Sequence, residues 1–160
     1  MTQQRICIGV IGGNEVDKAN YDIAYELGTH IAGRGAVLIC GGLGGIMEAV
    51  SKGVADSEGT AIGILPGSDK TSANPYVSIA LPTGMGIARN TLVVQMADVL
   101  IAFPGSYGTL SEIAFALALG KTVVYLPGAW DLKKLAPVDA ARFKEAFDAR
   151  HAIGIALSAV

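Results

Sequence analysis

Three glycine-rich turns are the part of this sequence whose residue types and spacing favour binding chemistry. Residues 12–14, 41–45 and 104–109 each lie between a short apolar run and a segment with helical spacing. Glycine permits close approach of the backbone, and the first turn of a helix presents unpaired N–H groups at the positive end of its dipole. Because such turns hold anions without lysines, we expect them to bind phosphate. The predicted phosphate-binding residues are Gly12, Gly13, Gly41, Gly42, Gly44, Gly105, Ser106, Gly108, Thr109 and Asn90.

The turns match neither of two common nucleotide-binding motifs. The sequence contains no strict G-x-G-x-x-G and no G-x-x-x-x-G-K-[ST], so ordinary NAD binding and P-loop ATPase chemistry are not indicated. One glycine turn taken alone is equally well a tight connection between a strand and a helix. Three such turns in equivalent positions favour a ligand site, because the carboxyl ends of parallel strands meet at one edge of a sheet.

Two charged residues near these turns are candidate catalytic groups. Glu112 follows the third turn, and residues 109–112 fit the S/T-x-x-E capping box, in which the glutamate bonds back to a backbone amide. Capping and catalysis are therefore both open for this carboxylate. Arg89 lies in an otherwise uncharged stretch between Lys70 and Asp98, which favours contact with a buried anion or carboxylate.

The surrounding pattern predicts the elements that position these turns. Short continuous apolar runs, typical of strands buried on both faces, alternate with segments of helical period such as Ile23, Leu27 and Ile31. The strand-like runs are residues 6–11, 36–40, 60–65, 99–103 and 122–126. The alternation predicts an α/β fold, Rossmann-like and doubly wound, with a mainly parallel sheet and helices on both faces. At 160 residues we expect a single domain over positions 1–160.

Three further segments are less regular. Residues 66–86 are rich in Pro, Gly, Ser and Asn and are predicted to form a loop around one short strand near residues 77–81, in a position to cover a ligand. A charged amphipathic helix is predicted around residues 139–150. The apolar segment 152–160 has no pattern that decides its structure.

Composition excludes several classes of partner. A net charge of −2 and a pI near 5.6 argue against nucleic-acid binding. No apolar run reaches the length of a membrane span and no signal peptide opens the chain, so we expect a cytoplasmic protein without a membrane partner. Cys7 and Cys40 lie in strand-like runs, and His30 and His151 are isolated. We therefore expect no metal site and no required cofactor.

The balance of apolar and charged residues predicts self-association. Hydrophobic residues make up 51% of the chain and charged residues 16%, which leaves less polar surface than a monomer normally has. Residues 113–119 (IAFALAL) are almost entirely apolar. We expect a homodimer or homotetramer that buries this helix.

Two segments resemble the LOG-like family, named for cytokinin riboside 5′-monophosphate phosphoribohydrolases. PGSYGTLSE at 104–112 is similar to that family's P-G-G-x-G-T-x-x-E signature, and CGGLGGIMEAVSKGV at 40–54 is similar to its second glycine segment. The resemblance covers about residues 6 to 128. It implies hydrolysis of the N-glycosidic bond of a nucleoside 5′-monophosphate, with Glu112 and Arg89 in the catalytic positions and the glycine turn on the phosphate.

Departures from the family pattern resemble a different branch. Ser106 replaces the second glycine of the signature, and Asn90 replaces the lysine that follows the arginine. Both changes are similar to short single-domain relatives, some of which carry the molybdenum cofactor, a phosphorylated pterin. The resemblance therefore implies binding of a phosphorylated, nucleotide-like small molecule, with the molybdenum cofactor as a candidate ligand and phosphoribohydrolase activity as the alternative.

Two other activities associated with similar sequences are disfavoured. A pyridoxal phosphate lysine decarboxylase needs a Schiff-base lysine in a larger scaffold, and no such context surrounds Lys52, Lys70 or Lys121. The core also resembles the DNA-processing protein A family, which shares the fold. No basic and aromatic surface in the sequence supports single-strand binding.

Overall fold

The computed structural model describes residues 4–128 and 141–160, and these form one parallel sheet with helices on both faces. The strands are β1 (Cys7–Ile11), β2 (Val37–Cys40), β3 (Thr60–Leu65), β4 (Ile79–Pro82), β5 (Val99–Ala102), β6 (Val123–Tyr125) and β7 (Phe143–Glu145). The helices are α1 (Lys18–Gly33), α2 (Ile46–Asp56), α3 (Asn90–Met96), α4 (Tyr107–Ala118) and α5 (Ala149–Ser158). Short 3₁₀ helices span Lys70–Ser72 and Gly86–Arg89. The predicted Rossmann-like fold class is confirmed.

The strand order explains where a ligand site is expected. The sheet runs β4-β3-β2-β1-β5-β6-β7, and every pair of neighbours is parallel. The chain therefore builds outward from β1 to β4, returns to place β5 beside β1, and then builds in the opposite direction. The reversal between β1 and β5 is the topological switch point, where open α/β sheets form a crevice at the carboxyl ends of their strands.

Apolar side chains on the two sheet faces form two separate cores. Helices α1, α2 and α5 cover one face, to which they contribute Leu27, Val50 and Ile153. Helices α3 and α4 cover the other face with Val93 and Ile113. Because β1, β2, β3, β5 and β6 are covered on both faces, they lack the apolar–polar alternation of a half-exposed strand, which is why continuous apolar runs identified these five strands.

The helix predicted around residues 139–150 is wrong over its described part. Phe143–Glu145 forms the edge strand β7, paired with β6, and α5 begins only after the N-cap Asp148, whose carboxylate accepts the His151 N–H at 2.7 Å. Phe143 is buried while Lys144 and Glu145 are exposed, as an edge strand allows. Residues 139 and 140 lie outside the described residues. The undecided segment 152–160 is largely α5, and the predicted strand near 77–81 is β4.

Several smaller features bear on the earlier expectations. Cys7 and Cys40 are free thiols on the neighbouring strands β1 and β2. Within 4–128 and 141–160, no group of histidine, cysteine and carboxylate side chains is arranged to hold a metal ion. No helix in these ranges combines the length and hydropathy needed to cross a bilayer.

Candidate functional site

A cleft of about 360 Å³ opens at the carboxyl ends of β1 and β5, at the switch point of the sheet. It is lined by Val10, Ile11, Gly12, Gly13, Asn14, Gly41, Leu43, Met47, Pro66, Ile87, Arg89, Asn90, Ser106, Gly108, Thr109 and Glu112. All three glycine turns contribute to this lining. An adjoining depression of about 480 Å³ shares Gly13, Asn14 and Ser106 with the cleft.

Most of the residues predicted from the sequence come together here, and three do not line the cleft. Gly105 borders the adjoining depression instead. Gly42 has φ +75° and packs against Leu65 and the backbone of Gly63, behind the cleft. The Gly44 N–H donates to Asn14 Oδ1 at 2.9 Å, so this amide is not available to a ligand.

The third turn leaves backbone donors free at the start of α4. Helix α4 begins at Tyr107, and its N-cap Ser106 forms no side-chain capping bond. The first amide to bond back is that of Leu110, which donates to the Ser106 carbonyl at 3.1 Å. The N–H groups of residues 107–109 have no acceptor within the described parts of the chain. Together with the helix dipole, they form an anion-binding end.

The capping-box interpretation of Glu112 is wrong. Thr109 lies inside the first turn of α4 rather than at its N-cap, because the helix starts three residues earlier than that motif requires. Glu112 consequently lies in the second turn, where no free N-cap amide is within its reach. Its side chain faces the cleft instead.

The first and second turns are bonded to each other and to the start of the third. The Gly13 N–H donates to the Pro104 carbonyl, and the Ile46 N–H donates to the Gly13 carbonyl, both at 3.0 Å. Gly45 adopts φ +62° at the N-cap of α2 and packs directly on the backbone of Gly13 and Asn14. These contacts fix the first two turns to each other as the scaffold of the cleft.

Arg89 is a buried cation on the cleft wall. It is 8% exposed, at the end of the 3₁₀ helix that leads into α3. One terminal nitrogen donates to the Gly41 carbonyl at 3.3 Å and the other to Asn90 Oδ1, while Nε has no partner among the described residues. Asn90 in turn donates to the Gly108 carbonyl at 3.5 Å, so it connects Arg89 to the first turn of α4. Burial lowers the pKa of the guanidinium.

Glu112 is a buried carboxyl group without a donor. It is 6% exposed and accepts no hydrogen bond from any described residue. Burial in the apolar wall raises its pKa to about 8, and the positive charge of Arg89 acts in the opposite direction. The cleft therefore combines a fixed cation, a free helix terminus and one carboxyl group that titrates near neutral pH.

Sequence reasoning missed the apolar wall and one polar residue. Leu43, Met47, Pro66 and Ile87 face the cleft, and Ile87 is 73% exposed. Pro66 belongs to the segment predicted to cover a ligand, but helical spacing placed Met47 in the core. Asn14 is the last residue of the first turn, and its contact with Gly44 links segments 30 residues apart, which no local pattern reveals.

Fold and site together define a Rossmann-like α/β protein with a glycine-lined cleft at its switch point. The SLOG cluster4 family model matches residues 5–152, and the chain belongs to this family. A protein of Archaeoglobus fulgidus is 50% identical over 119 residues, which are 74% of this chain and 78% of that protein. The resemblance to LOG-like proteins is thereby confirmed.

The curated enzyme relatives are longer than this chain. The cytokinin riboside 5′-monophosphate phosphoribohydrolase LOG of Oryza sativa subsp. japonica is 36% identical over 115 residues, 69% of this chain and 47% of that enzyme. The match thus spans about half the length of that relative.

Solved structures match over nearly the whole chain. The molybdenum cofactor binding protein of Rippkaea orientalis superposes with a TM-score of 0.92 at 36% identity, covering 98% of both chains. The molybdenum cofactor carrier protein of Chlamydomonas reinhardtii gives 0.88 at 32% identity, again covering 98% of both. DNA processing protein A of Helicobacter pylori, at 18% identity and a TM-score of 0.72, shares the fold alone. The resemblance to the short carrier-containing branch is confirmed.

Proposed function

We propose that the cleft binds a phosphorylated, nucleotide-like small molecule and that the protein serves as a molybdenum cofactor carrier. The observation behind this proposal is the free first turn of α4, where Gly108 and Thr109 line a cleft that also contains Arg89. Backbone donors and one buried arginine suit a phosphate group. Full-length similarity to two proteins described as binding or carrying the molybdenum cofactor supports a pterin as the rest of the ligand.

The residues divide into three proposed roles. Ser106, Gly108 and Thr109 surround the phosphate at the start of α4, and Arg89 supplies the positive charge. Gly12, Gly13 and Gly41 keep the floor of the cleft free of side chains, since a Cβ on Gly41 would collide with Arg89 and Met47. Gly42, Gly44 and Gly105 shape the turns behind the ligand, and Asn90 orients Arg89 through their hydrogen bond.

A second candidate function is hydrolysis of a nucleoside 5′-monophosphate. The specific observation in its favour is the partner-free carboxyl group of Glu112 on the same wall as Arg89. An ionised Glu112 can stabilise positive charge on a ribose carbon or direct a water molecule, and Arg89 can orient the substrate. In this interpretation Arg89 and Glu112 are the catalytic residues.

The role of the α4 amides is testable by removing a single N–H group. Tyr107 is the first helical residue, where proline is tolerated, and Ser106 before it is extended, as a residue preceding proline must be. We expect Tyr107→Pro to fold normally and to bind adenosine 5′-monophosphate or the molybdenum cofactor roughly tenfold more weakly, since a charge-assisted hydrogen bond is lost. Calorimetric titration measures the affinities.

The matched control is Tyr107→Ala, which removes the same exposed ring but keeps the amide. It should bind within about twofold of the wild-type protein. Equal affinities of the proline and alanine variants would show that the α4 terminus does not hold the phosphate, and the proposal would fail.

Carrier and enzyme are separated by product analysis. The purified protein is incubated with a panel of nucleoside 5′-monophosphates, and free base and ribose 5-phosphate are measured. A carrier releases neither while retaining the molybdenum cofactor. Release of base that Glu112→Gln abolishes would favour the hydrolase instead.

We also propose that α4 packs against a second copy of the chain. Ile113 and Ala116 face the sheet, whereas Phe115 and Leu119 remain 45% and 53% exposed on the outer side. No charged side chain lies on that outer side of α4. Light scattering should give a dimer or tetramer, and Phe115→Glu should shift the mass toward the monomer. A monomeric wild-type protein would contradict this proposal.

A further inference from the structure

Glu112 lies where an ionised carboxylate has little to stabilise it. The side chain is more than nine-tenths buried, and the described residues offer it no hydrogen-bond donor. The cleft is lined by glycine backbone, by apolar side chains such as Val10 and Met47, and by uncharged polar side chains such as Thr109, none of which donates a hydrogen bond to Glu112 among the described residues. Desolvation without compensating donors favours the neutral form of a carboxyl group.

Only two other titratable groups influence this carboxyl group within the described residues. Arg89, from the 3₁₀ helix before α3, attracts the ionised form, and the buried Cys40 thiol at the end of β2 is the second. The terminal nitrogens of Arg89 are engaged by Gly41 and Asn90, and no ion pair forms between Arg89 and Glu112. The remaining lining residues on β1, α2 and α4 do not titrate. Nothing on the surrounding elements fully offsets the cost of ionising Glu112.

Building on the proposed function, we propose that Glu112 is neutral in the free protein and donates its carboxylic O–H to an acceptor atom of the bound phosphorylated ligand. The ligand class that fits is a dianionic phosphate monoester whose remaining part presents an oxygen or nitrogen acceptor. A neutral donor leaves the charges of Arg89 and of the α4 terminus to the phosphate. An ionised Glu112 would instead repel the dianion.

The assignment predicts how many protons Glu112 takes up when the ligand binds. Below the midpoint of its titration Glu112 already holds the proton, and the ligand binds without exchange with solvent. Above the midpoint each binding event transfers one proton from buffer to a Glu112 oxygen, because the dianion raises the pKa of the carboxyl group further. The affinity of the ligand therefore falls as the pH rises through this range.

The protonation state is tested on the free protein, independently of any ligand. We expect the side-chain carboxyl carbon of Glu112, observed by NMR after ¹³C labelling of glutamate, to titrate with a midpoint near 8. Glu112→Gln removes this signal and assigns it. A midpoint below about 5, in the range of ordinary glutamates, would overturn the inference.

The donor role is tested by calorimetry with adenosine 5′-monophosphate and with inorganic phosphate. At pH 8.5, titrations in two buffers of different ionisation enthalpy should show uptake of more than half a proton per adenosine 5′-monophosphate bound. The wild-type affinity should fall about fivefold between pH 8 and pH 9. Glu112→Gln, whose amide still donates, should bind within about threefold of wild type at pH 7 and show neither uptake nor decline.

The control variant is Glu58→Gln, an exposed carboxylate outside the cleft, which should behave as the wild type. Binding without proton uptake in the wild-type protein would overturn the inference and leave the proposed function intact. Failure of both probes and of the molybdenum cofactor to bind would overturn the proposed function and this inference together, and the NMR midpoint would still give the charge of Glu112.

Discussion

The second and third glycine turns are both rich in glycine, but their backbone amides have different hydrogen-bond partners. Both connect a buried strand to a helix, and both contribute to the same cleft. In the second turn the Gly44 and Ile46 amides bond to Asn14 and Gly13, and Gly45 is pressed against the same backbone. In the third turn the amides at 107–109 remain free.

This difference separates two reasons for a glycine-rich turn. One reason is close packing of backbone on backbone, which needs glycine because no side chain fits. The other is exposure of helix-terminal donors to a ligand, which glycine permits but does not demand. Gly41 and Gly44 have the same three-residue separation as Gly105 and Gly108, so glycine spacing alone does not distinguish scaffold from site, and the destinations of the backbone hydrogen bonds are needed as well.

The largest expected difference between the two turns is in the stability lost when a glycine of each turn is replaced by alanine. Gly45 has φ +62° and ψ −126°, and a Cβ there would lie within 3.0 Å of the Gly13 carbonyl oxygen. We expect Gly45→Ala to lower the free energy of unfolding by about 4 kcal/mol, the sum of backbone strain and overpacking. Urea denaturation followed by circular dichroism measures the loss.

Gly108→Ala is the counterpart in the third turn. A Cβ there meets only Asn90 Nδ2, at the ordinary contact distance of 3.5 Å, and alanine suits a helix better than glycine. Its stability should stay within about 1 kcal/mol of the wild type. Equal losses for the two variants would show that both turns are scaffold and would remove the distinction.

Much of the fold was predictable because burial on both faces leaves a strong signal. The apolar runs that became β1 to β3, β5 and β6 were recognised, as was the alternation with helices. The strand β7 was not, since its single buried residue Phe143 is followed by exposed Lys144 and Glu145, a pattern that also suits a helix surface. Three residues are too few for period alone to decide.

The site was predictable in part, for a different physical reason. Glycine turns identified the edge of the sheet, and the isolation of Arg89 in the sequence indicated a buried cation. The capping-box interpretation of Glu112 failed because the start of α4 depends on where β5 ends, and Gly42 and Gly44 proved to face away because their roles depend on Asn14 and Gly63, distant in the chain. Contacts of this kind have no local sequence signature.

The burial of Glu112 in the cleft beside the third turn predicts a pH dependence of the free energy of unfolding. The folded protein holds this proton up to a pH near 8 while the unfolded chain releases it near 4.5, so stability falls as pH rises through that window. Glu112→Gln has no such loss, and we expect it to be about 3 kcal/mol more stable than wild type at pH 7.

The two proteins should be equally stable near pH 4, where the carboxyl group is neutral in both folded and unfolded states. Urea unfolding at the two pH values measures the difference, with Glu58→Gln as the exposed control. A glutamine variant less stable than wild type at pH 7 would indicate that an ionised Glu112 is stabilised by Arg89, contrary to the neutral cleft described above.

The smallest expected change in stability comes from removing the hydrogen bond between Asn14 and Gly44 in the second turn. Asn14 Oδ1 accepts the Gly44 N–H at 2.9 Å, and Asn14→Ala should cost about 1 kcal/mol of stability, the net contribution of one such hydrogen bond. Asn14→Asp keeps an acceptor and should retain most of that stability.

Because the freed Gly44 amide lies at a scaffold turn, affinity for adenosine 5′-monophosphate should stay within about twofold of wild type in Asn14→Ala. Tighter binding in this variant would mean that the second turn becomes an anion site once its own acceptor is removed, and that the two turns differ in one side chain rather than in architecture.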